Sequence, residues 1–250
     1  MTLPELRREG TAQEEEQRRF FEDYASRYDN RFLRSRWPRN QQLKARVVAA
    51  NLGDALDGGL VVELGCGTCQ VAAELLRMKP EAKYVGLDLS AAMLAAGRRR
   101  LEPFGDRVEL RQVRGPLPLQ PGEFTALFGI DTLHHVDDPV RVLRELRSSL
   151  RPGAPMVFLE GNPRFPVTTV IALLQREEQG LFKMTFSNLR AWPVQAGFEN
   201  VSVEYGPLYT PPGPPRLVPV LDAVDRAFGA VPLLRSLAIF YTARAQAPAG

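Results

Sequence analysis

The sequence is poor in cysteine and histidine, and it contains no apolar run of the roughly 20 residues that a membrane-spanning helix needs. Its only cysteines are Cys66 and Cys69, and its only histidines are His134 and His135, more than sixty residues farther along the chain. A structural zinc site generally has four ligands at matching spacings. We therefore predict no bound metal ion and two free thiols.

A secretory leader and a basic binding domain are also missing. The first twenty residues are charged and lack the apolar core of a signal peptide, which favours a cytoplasmic protein without a transmembrane segment. The net charge is only +3, and no separate basic domain is attached, so we do not expect a nucleic-acid partner. The composition, 44% hydrophobic and 24% charged over 250 residues, is typical of a globular chain with one sizeable core.

The chain is organised around residues 60–68, which read L-V-V-E-L-G-C-G-T. The apolar run is typical of a strand buried on both faces of a parallel sheet. Gly65 and Gly67 indicate a sharp strand-to-helix turn where a ligand can approach the backbone, and residues 71–78 have the apolar spacing of a short helix. The stretch therefore predicts an α/β fold with a cofactor crevice at the carboxyl end of this strand.

Two acids near this turn indicate which cofactor it binds. A dinucleotide fingerprint requires a third glycine where this chain has Gln70. Glu63, just before the turn, would repel a pyrophosphate but suits a cationic amine. Asp88 ends the next predicted strand, at the position where a carboxylate can hold two ribose hydroxyls. These two acids favour S-adenosyl-L-methionine over NAD.

Further motifs follow in an order that is typical of one family. V-E-L-G-C-G-T is followed by G-L-D-L-S, L-H-H-V-D-D-P and L-R-P-G, and Y-A-S-R-Y-D precedes them. In this set the chain resembles the class I S-adenosylmethionine-dependent methyltransferases, in their broad small-molecule (methyltransferase type 11-like) group, over residues 20–160. The resemblance implies a doubly wound, seven-stranded, mostly parallel Rossmann-like sheet with an antiparallel C-terminal hairpin strand and helical lid elements.

The resemblance also divides the domain into three parts. Residues 1–40 would form a helical lid, residues 41–160 the cofactor-binding core, and residues 161–250 an insertion at the acceptor pocket together with the C-terminal strands. Residues 217–237 are apolar and helix-like but are interrupted by Pro219 and Pro232. We expect this segment to cover the acceptor pocket, to form a homodimer contact, or to rest on a membrane surface.

Cofactor contacts can be carried over position by position. The resemblance places Tyr28 at the methionine carboxylate and Met93 at the adenine, although core packing explains Met93 equally well. The Gly-Asp pair that the family has after its third strand is replaced here by Gln112 and Val113, so the adenine amino group must be bound by the backbone or by other groups. The predicted cofactor-binding residues are Tyr28, Glu63, Gly65, Cys66, Gly67, Thr68, Asp88, Leu89, Met93, Val113, Arg114 and Asp131.

Two imidazoles follow the fourth predicted strand, at the edge where the family holds the methyl group. His134 or His135 is the predicted general base, because imidazole titrates near neutral pH. Packing against the cofactor or capping of the next helix explains either histidine equally well, and an acceptor that is already nucleophilic needs no base. The predicted acceptor contacts are Tyr24, His134 and Glu160.

Three functions remain open from the sequence. The first is methyl transfer to an oxygen, nitrogen or carbon atom of a small molecule, in specialised metabolism for example. The second is methylation of RNA or protein, which D-T-L-H after the fourth strand disfavours because it differs from the N-P-P-Y type used for exocyclic amines. The third is a non-methylating role, cyclisation or scaffolding, with the same bound cofactor.

Overall fold

The structure is a computed structural model that describes residues 12–28, 38–117, 119–207, 210 and 215–249, with the backbone alone at 12–14, 26–28, 38 and 215. Seven strands form one sheet. They are β1 (Leu60–Leu64), β2 (Lys83–Asp88), β3 (Val108–Gln112), β4 (Ala126–Ile130), β5 (Pro155–Gly161), β6 (Glu199–Tyr205) and β7 (Phe240–Gln246).

The strands are ordered β3-β2-β1-β4-β5-β7-β6 across the sheet. The chain therefore adds β2 and β3 on one side of β1 and then crosses to add β4 and the later strands on the other side. The pairs among β1 to β5 are parallel, whereas β7 is antiparallel to both of its neighbours, β5 and β6. This confirms the predicted doubly wound, mostly parallel sheet with its antiparallel C-terminal hairpin. In such a sheet a ligand binds outside the carboxyl ends of the strands, at the switch between β1 and β4.

Helices cover both faces of the sheet. The described helices are α1 (Ala12–Tyr28), α2 (Pro38–Leu52), α3 (Gln70–Met78), α4 (Ala91–Leu101), α5 (Pro139–Ser148), α6 (Pro166–Leu174), α7 (Phe186–Gln195) and α8 (Val218–Ala230). Buried side chains of α2, α3 and α4 pack on one face, and those of α5 and α7 pack on the other. The central strands are therefore buried on both faces of the sheet, as their continuous apolar runs predicted.

The apolar spacing of residues 167–179 is that of one helix, but the structure ends this helix earlier. Helix α6 ends at Leu174, and a 3-10 segment, Arg176–Lys183, follows it. Gln175 between them is extended, with φ −124° and ψ 115°, which the period of the apolar residues could not reveal. The break matters for function because it turns the 3-10 segment toward the sheet edge, where Glu178 and Leu181 are buried.

Apolar side chains are exposed in the C-terminal third of the chain. On α6 they include Val170, Leu173 and Leu174, and beyond α8 Leu233 is 87% exposed. The predicted segment at residues 217–237 consists of α8 followed by a 3-10 turn at Pro232–Leu237. Within the described ranges, no helix combines the length and the apolar character needed to cross a membrane.

Candidate active site

A cleft opens at the carboxyl edge of the sheet, between the ends of β1, β2 and β4. The space between its walls is about 1130 Å³, a figure that includes open solvent at its mouth. Most of the predicted site residues share its walls. Those lining it are Gly65, Gly67, Asp88, Leu89, Met93, Val113, Asp131, His134 and His135.

The glycine turn allows the backbone to approach a ligand. Gly65 has φ +67° and Gly67 has φ +51°, a left-handed conformation that side chains rarely adopt. A Cβ atom on Gly65 would lie 1.7 Å from Oγ1 of Thr132, so no side chain fits there. Cys69, the residue before α3, is also left-handed with φ +58°. The turn is therefore wound tightly enough to leave its backbone at the cleft wall.

Asp88 connects this turn to α4. One of its carboxylate oxygens accepts a hydrogen bond from the Gly67 N–H at 2.8 Å, and the other accepts one from the Ser90 N–H at 2.9 Å. Burial raises the pKa of Asp88, and these backbone N–H groups oppose the rise. An ionised carboxylate has about four lone pairs, so it can also accept hydrogen bonds from a hydroxyl group of a ligand.

Glu63, Cys66 and Thr68 lie away from the main cleft. They line a smaller cavity that shares Gly65 and Asp131 with it. Glu63 is buried and accepts a hydrogen bond from the Tyr84 hydroxyl; burial raises its pKa well above the usual range. Glu63 would therefore contact a ligand amine only from this second cavity.

The apolar end of the cleft is formed by Leu89, Met93 and Val113. Met93 is fully buried in the first turn of α4, whose N-terminus is capped by the Ser90 hydroxyl. Arg114, which was predicted beside them, is exposed and does not line the cleft. The structure thus places Val113, but not Arg114, where a planar base could be held.

Asp131 forms the floor between the two cavities. It has φ +51°, and its carboxylate lies 2.7 Å from Nζ of Lys44, on α2. Lys44 also lies over the Phe240 ring, 4.3 Å from its centroid. Lys44 was not predicted, because a lysine within an amphipathic helix carries no motif of its own.

The lid helix α1 presents different residues to the cleft from those predicted. Gln17 and Phe21 line it, whereas Tyr24 does not and stacks on Phe20 with 5.3 Å between ring centroids. The acceptor contact predicted for Tyr24 is therefore not visible in this arrangement. The side chain of Tyr28 lies outside the described residues.

His134 is held between two carboxylates. Its Nδ1 atom lies 2.8 Å from Oε2 of Glu160, and its Nε2 atom lies 3.4 Å from Oε2 of Glu178. Burial opposes the charge of the imidazole, but the hydrogen bond to Glu160 and the negative charges of both glutamates prevail and raise the pKa of His134 to about 10. The raised pKa favours the protonated ring, whereas a general base must be unprotonated.

Glu160 is completely buried at the end of β5. Its Oε1 atom accepts hydrogen bonds from the backbone N–H groups of Thr132 and Leu133, at 3.0 and 2.7 Å. With Oε2 bonded to His134, no part of this carboxylate reaches the cleft. Glu160 positions the histidine turn, so its predicted acceptor contact could act only through His134.

His135 is the more accessible imidazole. Its ring packs edge-on against Phe21, with 5.1 Å between ring centroids, and lies 3.9 Å from the ring of His134. It lines the cleft, and thus stays a candidate base.

Glu178 is the principal site residue that sequence reasoning missed. It lines the cleft from the 3-10 segment, which approaches so closely that a Cβ atom on Gly180 would be 1.8 Å from the carbonyl oxygen of His134. The segment belongs to an insertion without recognisable pattern, so only the structure brings it to the histidines.

Comparison with known proteins identifies the family. A family profile described as "Methyltransferase domain" matches residues 62–156. The ubiquinone biosynthesis O-methyltransferase of Pseudomonas aeruginosa is 30% identical over 168 residues, which cover 61% of this chain and 71% of that protein. The trans-aconitate 2-methyltransferase of Deinococcus radiodurans is 40% identical over 94 residues, 37% of this chain and 34% of that protein.

The solved structures agree in fold. A SAM-dependent methyltransferase of Thermotoga maritima superimposes with a TM-score of 0.64 and 21% identity, over 92% of this chain and 99% of that one. This chain spans only 31% to 37% of the length of three curated relatives, so those matches concern the core alone. The profile, the O-methyltransferase relative and the fold agree: the chain belongs to the S-adenosylmethionine-dependent methyltransferases, whose cofactor is S-adenosyl-L-methionine.

Proposed function

We propose that this protein transfers the methyl group of S-adenosyl-L-methionine to a small molecule bound at the histidine end of the cleft. The observation that carries the proposal is the hydrogen bond from the Gly67 N–H to Asp88, 2.8 Å long. It fixes a carboxylate beside a glycine turn at the switch point of the sheet, where a ribose can be recognised.

The shape of the turn supports this cofactor. A Cβ atom on Gly65 would collide with Thr132, so glycine allows the turn to pack against the residue that follows Asp131 while both residues line the cleft. Leu89, Met93 and Val113 offer an apolar slot for the adenine. When bound, S-adenosyl-L-methionine supplies a methyl group on a positively charged sulfur.

Charged residues of the chain would bind the amino-acid end of the cofactor. Asp131 and Glu63 border the smaller cavity, and Lys44 brings a cation to the same place. The amine would meet Asp131, and the carboxylate would meet Lys44 once the 2.7 Å ion pair between these two side chains opens. Tyr28 stays a predicted contact of that carboxylate.

Different roles follow for the two histidines. Protonated His134 would donate hydrogen bonds and hold positive charge, while His135, edge-on to Phe21, would take the proton from an acceptor that loses one. Gln17 and Phe21 would close the cleft over the acceptor and exclude water.

A small-molecule acceptor is supported by the relatives and by the position of the cleft. Two of those relatives are named for trans-aconitate and for ubiquinone biosynthesis. A cleft that encloses its ligand between a lid helix and a sheet edge suits such a molecule better than a nucleic-acid strand. The homodimer and the cytoplasmic location stay predictions.

The test is a product assay. Purified protein is incubated with S-adenosyl-L-methionine and a panel of small oxygen, nitrogen and carbon nucleophiles, and S-adenosylhomocysteine is quantified by mass spectrometry together with each methylated acceptor. The proposal predicts stoichiometric formation of both products with at least one acceptor. Turnover of an acceptor without S-adenosylhomocysteine, despite cofactor binding, would contradict it and favour the non-methylating role.

A further inference from the structure

Three possible metal ligands converge at the acceptor end of the cleft. His134, His135 and Glu178 each offer one ligand atom, and these atoms all lie within 4.8 Å of one another. All three residues line the cleft. The two histidines are also the only ones in the chain.

The spacing is close to that of a filled site. Ligand bonds of about 2.0–2.2 Å around one ion put neighbouring donor atoms roughly 3–4 Å apart. Nε2 of His134 and Oε2 of Glu178 are already 3.4 Å apart. The donor atom of His135, whose side chain is half-buried, lies within 4.8 Å of the other two and would have to move closer to them.

Glu160 orients the central ligand. It lies 2.8 Å from Nδ1 of His134 and is itself fixed by the N–H groups of Thr132 and Leu133. A ligating histidine almost always directs its other ring nitrogen to a carboxylate or carbonyl in this way. The arrangement leaves Nε2 of His134 as the atom that points at Glu178.

Two buried polar atoms at this place lack a hydrogen bond. Within the described part of the chain, neither Nε2 of His134 nor Oε1 of Gln17 has a hydrogen-bond partner, although both atoms are inaccessible to solvent. His134 is 2% exposed and Gln17 is 8% exposed. Buried polar atoms normally have partners, and here a ligand in the cleft would provide them.

We propose that Nε2 of His134, one ring nitrogen of His135 and a carboxylate oxygen of Glu178 bind one divalent transition-metal ion, whose open positions face the cleft. This inference rests on the proposed function: oxygen atoms of the methyl acceptor would occupy these open positions. The acceptor would then be a molecule with oxygen donors, such as a vicinal diol or a hydroxy acid. Gln17 would hydrogen-bond to a water or acceptor oxygen at the same place.

The donor set selects the class of ion. Two imidazoles and one carboxylate suit zinc, iron, cobalt or nickel, whereas magnesium and calcium prefer oxygen ligands alone. The charge of the site also favours a bound cation, because Glu160 and Glu178 bring two negative charges to one imidazole. With the ion bound, its positive charge would lower the pKa of a coordinated acceptor hydroxyl, which would replace the separate roles of His134 and His135 in the metal-free site.

The test is a titration of chelator-treated, tag-free protein with cobalt(II), followed by visible absorption and calorimetry. We expect one ion per chain, with the spectrum of nitrogen and oxygen ligation. Because no other histidine exists in the chain, imidazole ligation identifies this site. Sulfur-to-cobalt charge-transfer bands would place the ion at Cys66 and Cys69 instead, and would overturn the proposal.

Matched variants complete the test. Glu178→Gln and His135→Gln should each weaken cobalt binding at least tenfold, whereas Glu177→Gln, on the neighbouring residue, should leave it unchanged. Unaltered affinity in the first two variants, or no binding by the wild type, would overturn the site. Titration of the metal-free variants with S-adenosyl-L-methionine checks that they are folded; loss of cofactor binding by the wild type itself would instead refute the proposed function.

Discussion

Nδ1 of His134 lies 2.8 Å from a carboxylate oxygen of Glu160, and both side chains are almost fully buried. The contact joins the ends of β4 and β5 beneath the cleft. With Glu178 on the other side of the ring, it raises the pKa of His134 to about 10 against the opposing effect of burial. The same contact therefore decides the protonation state, the orientation and the stability of the histidine turn.

A dependence of stability on pH follows in the metal-free protein. Since the folded-state pKa of His134, about 10, lies above the ordinary 6.5, the stabilisation is complete below pH 6.5 and is lost as the pH rises through about 10. Denaturant unfolding at several pH values should show the wild type approaching His134→Gln in free energy of unfolding as the pH rises. Parallel pH profiles for the two proteins would contradict this account; His135→Gln is the control.

Glu160→Gln should destabilise the protein without touching the cleft. The amide keeps one oxygen for the backbone N–H groups but loses the charged bond to His134, which costs about 1.5–3 kcal/mol of unfolding free energy. The exposed Glu109→Gln should change it by less than about 0.5 kcal/mol. Chemical denaturation measures both, and equal stability of the two variants would show that the buried carboxylate contributes nothing.

Gly65→Ala should prevent cofactor binding. The added methyl group would lie 1.7 Å from Oγ1 of Thr132, in a residue with φ +67°. Gly122→Ala is a matched control, because Gly122 has φ +66° and nothing within 4 Å of the added atom. The control should lose about 1–2 kcal/mol of stability from backbone strain and keep its affinity. Calorimetric titration with S-adenosylhomocysteine separates the two effects, and equal affinities would exclude the close approach.

The lid should act through Phe21 and not through Tyr24. Phe21→Ala removes an apolar wall of the cleft and the edge-on contact with His135, so binding of S-adenosylhomocysteine or of an acceptor should weaken by up to about tenfold. Tyr24→Ala should have less effect, because its ring stacks on Phe20. Dissociation constants that rise more with Tyr24→Ala than with Phe21→Ala would restore the assignment made from the sequence.

The core of the fold could be read from the sequence because local patterns and the sheet agree there. The run from Leu60 ends in glycines whose positive φ values the turn requires, and β2 ends at Asp88, as predicted. The antiparallel pairing of β6 with β7 was also predicted correctly. In each case the signal lies within a few neighbouring residues.

The acceptor end could not be read in this way. Glu178 comes to His134 only because α6 stops at Leu174 and Gln175 is extended, and an apolar period gives no sign of such a break. Lys44 reaches Asp131 across 87 residues of chain for the same reason. Long-range ion pairs depend on how elements pack, so the sequence could not show that His134 lies between Glu160 and Glu178.

The most direct test of the central claim is calorimetric titration with S-adenosyl-L-methionine and, separately, with NAD. The wild type should bind the first and not the second, Asp88→Ala should weaken binding at least tenfold, and the exposed Asp106→Ala should behave as the wild type. Wild-type binding of NAD, or unchanged affinity in Asp88→Ala, would contradict the assignment of this cleft as the methyl-donor site.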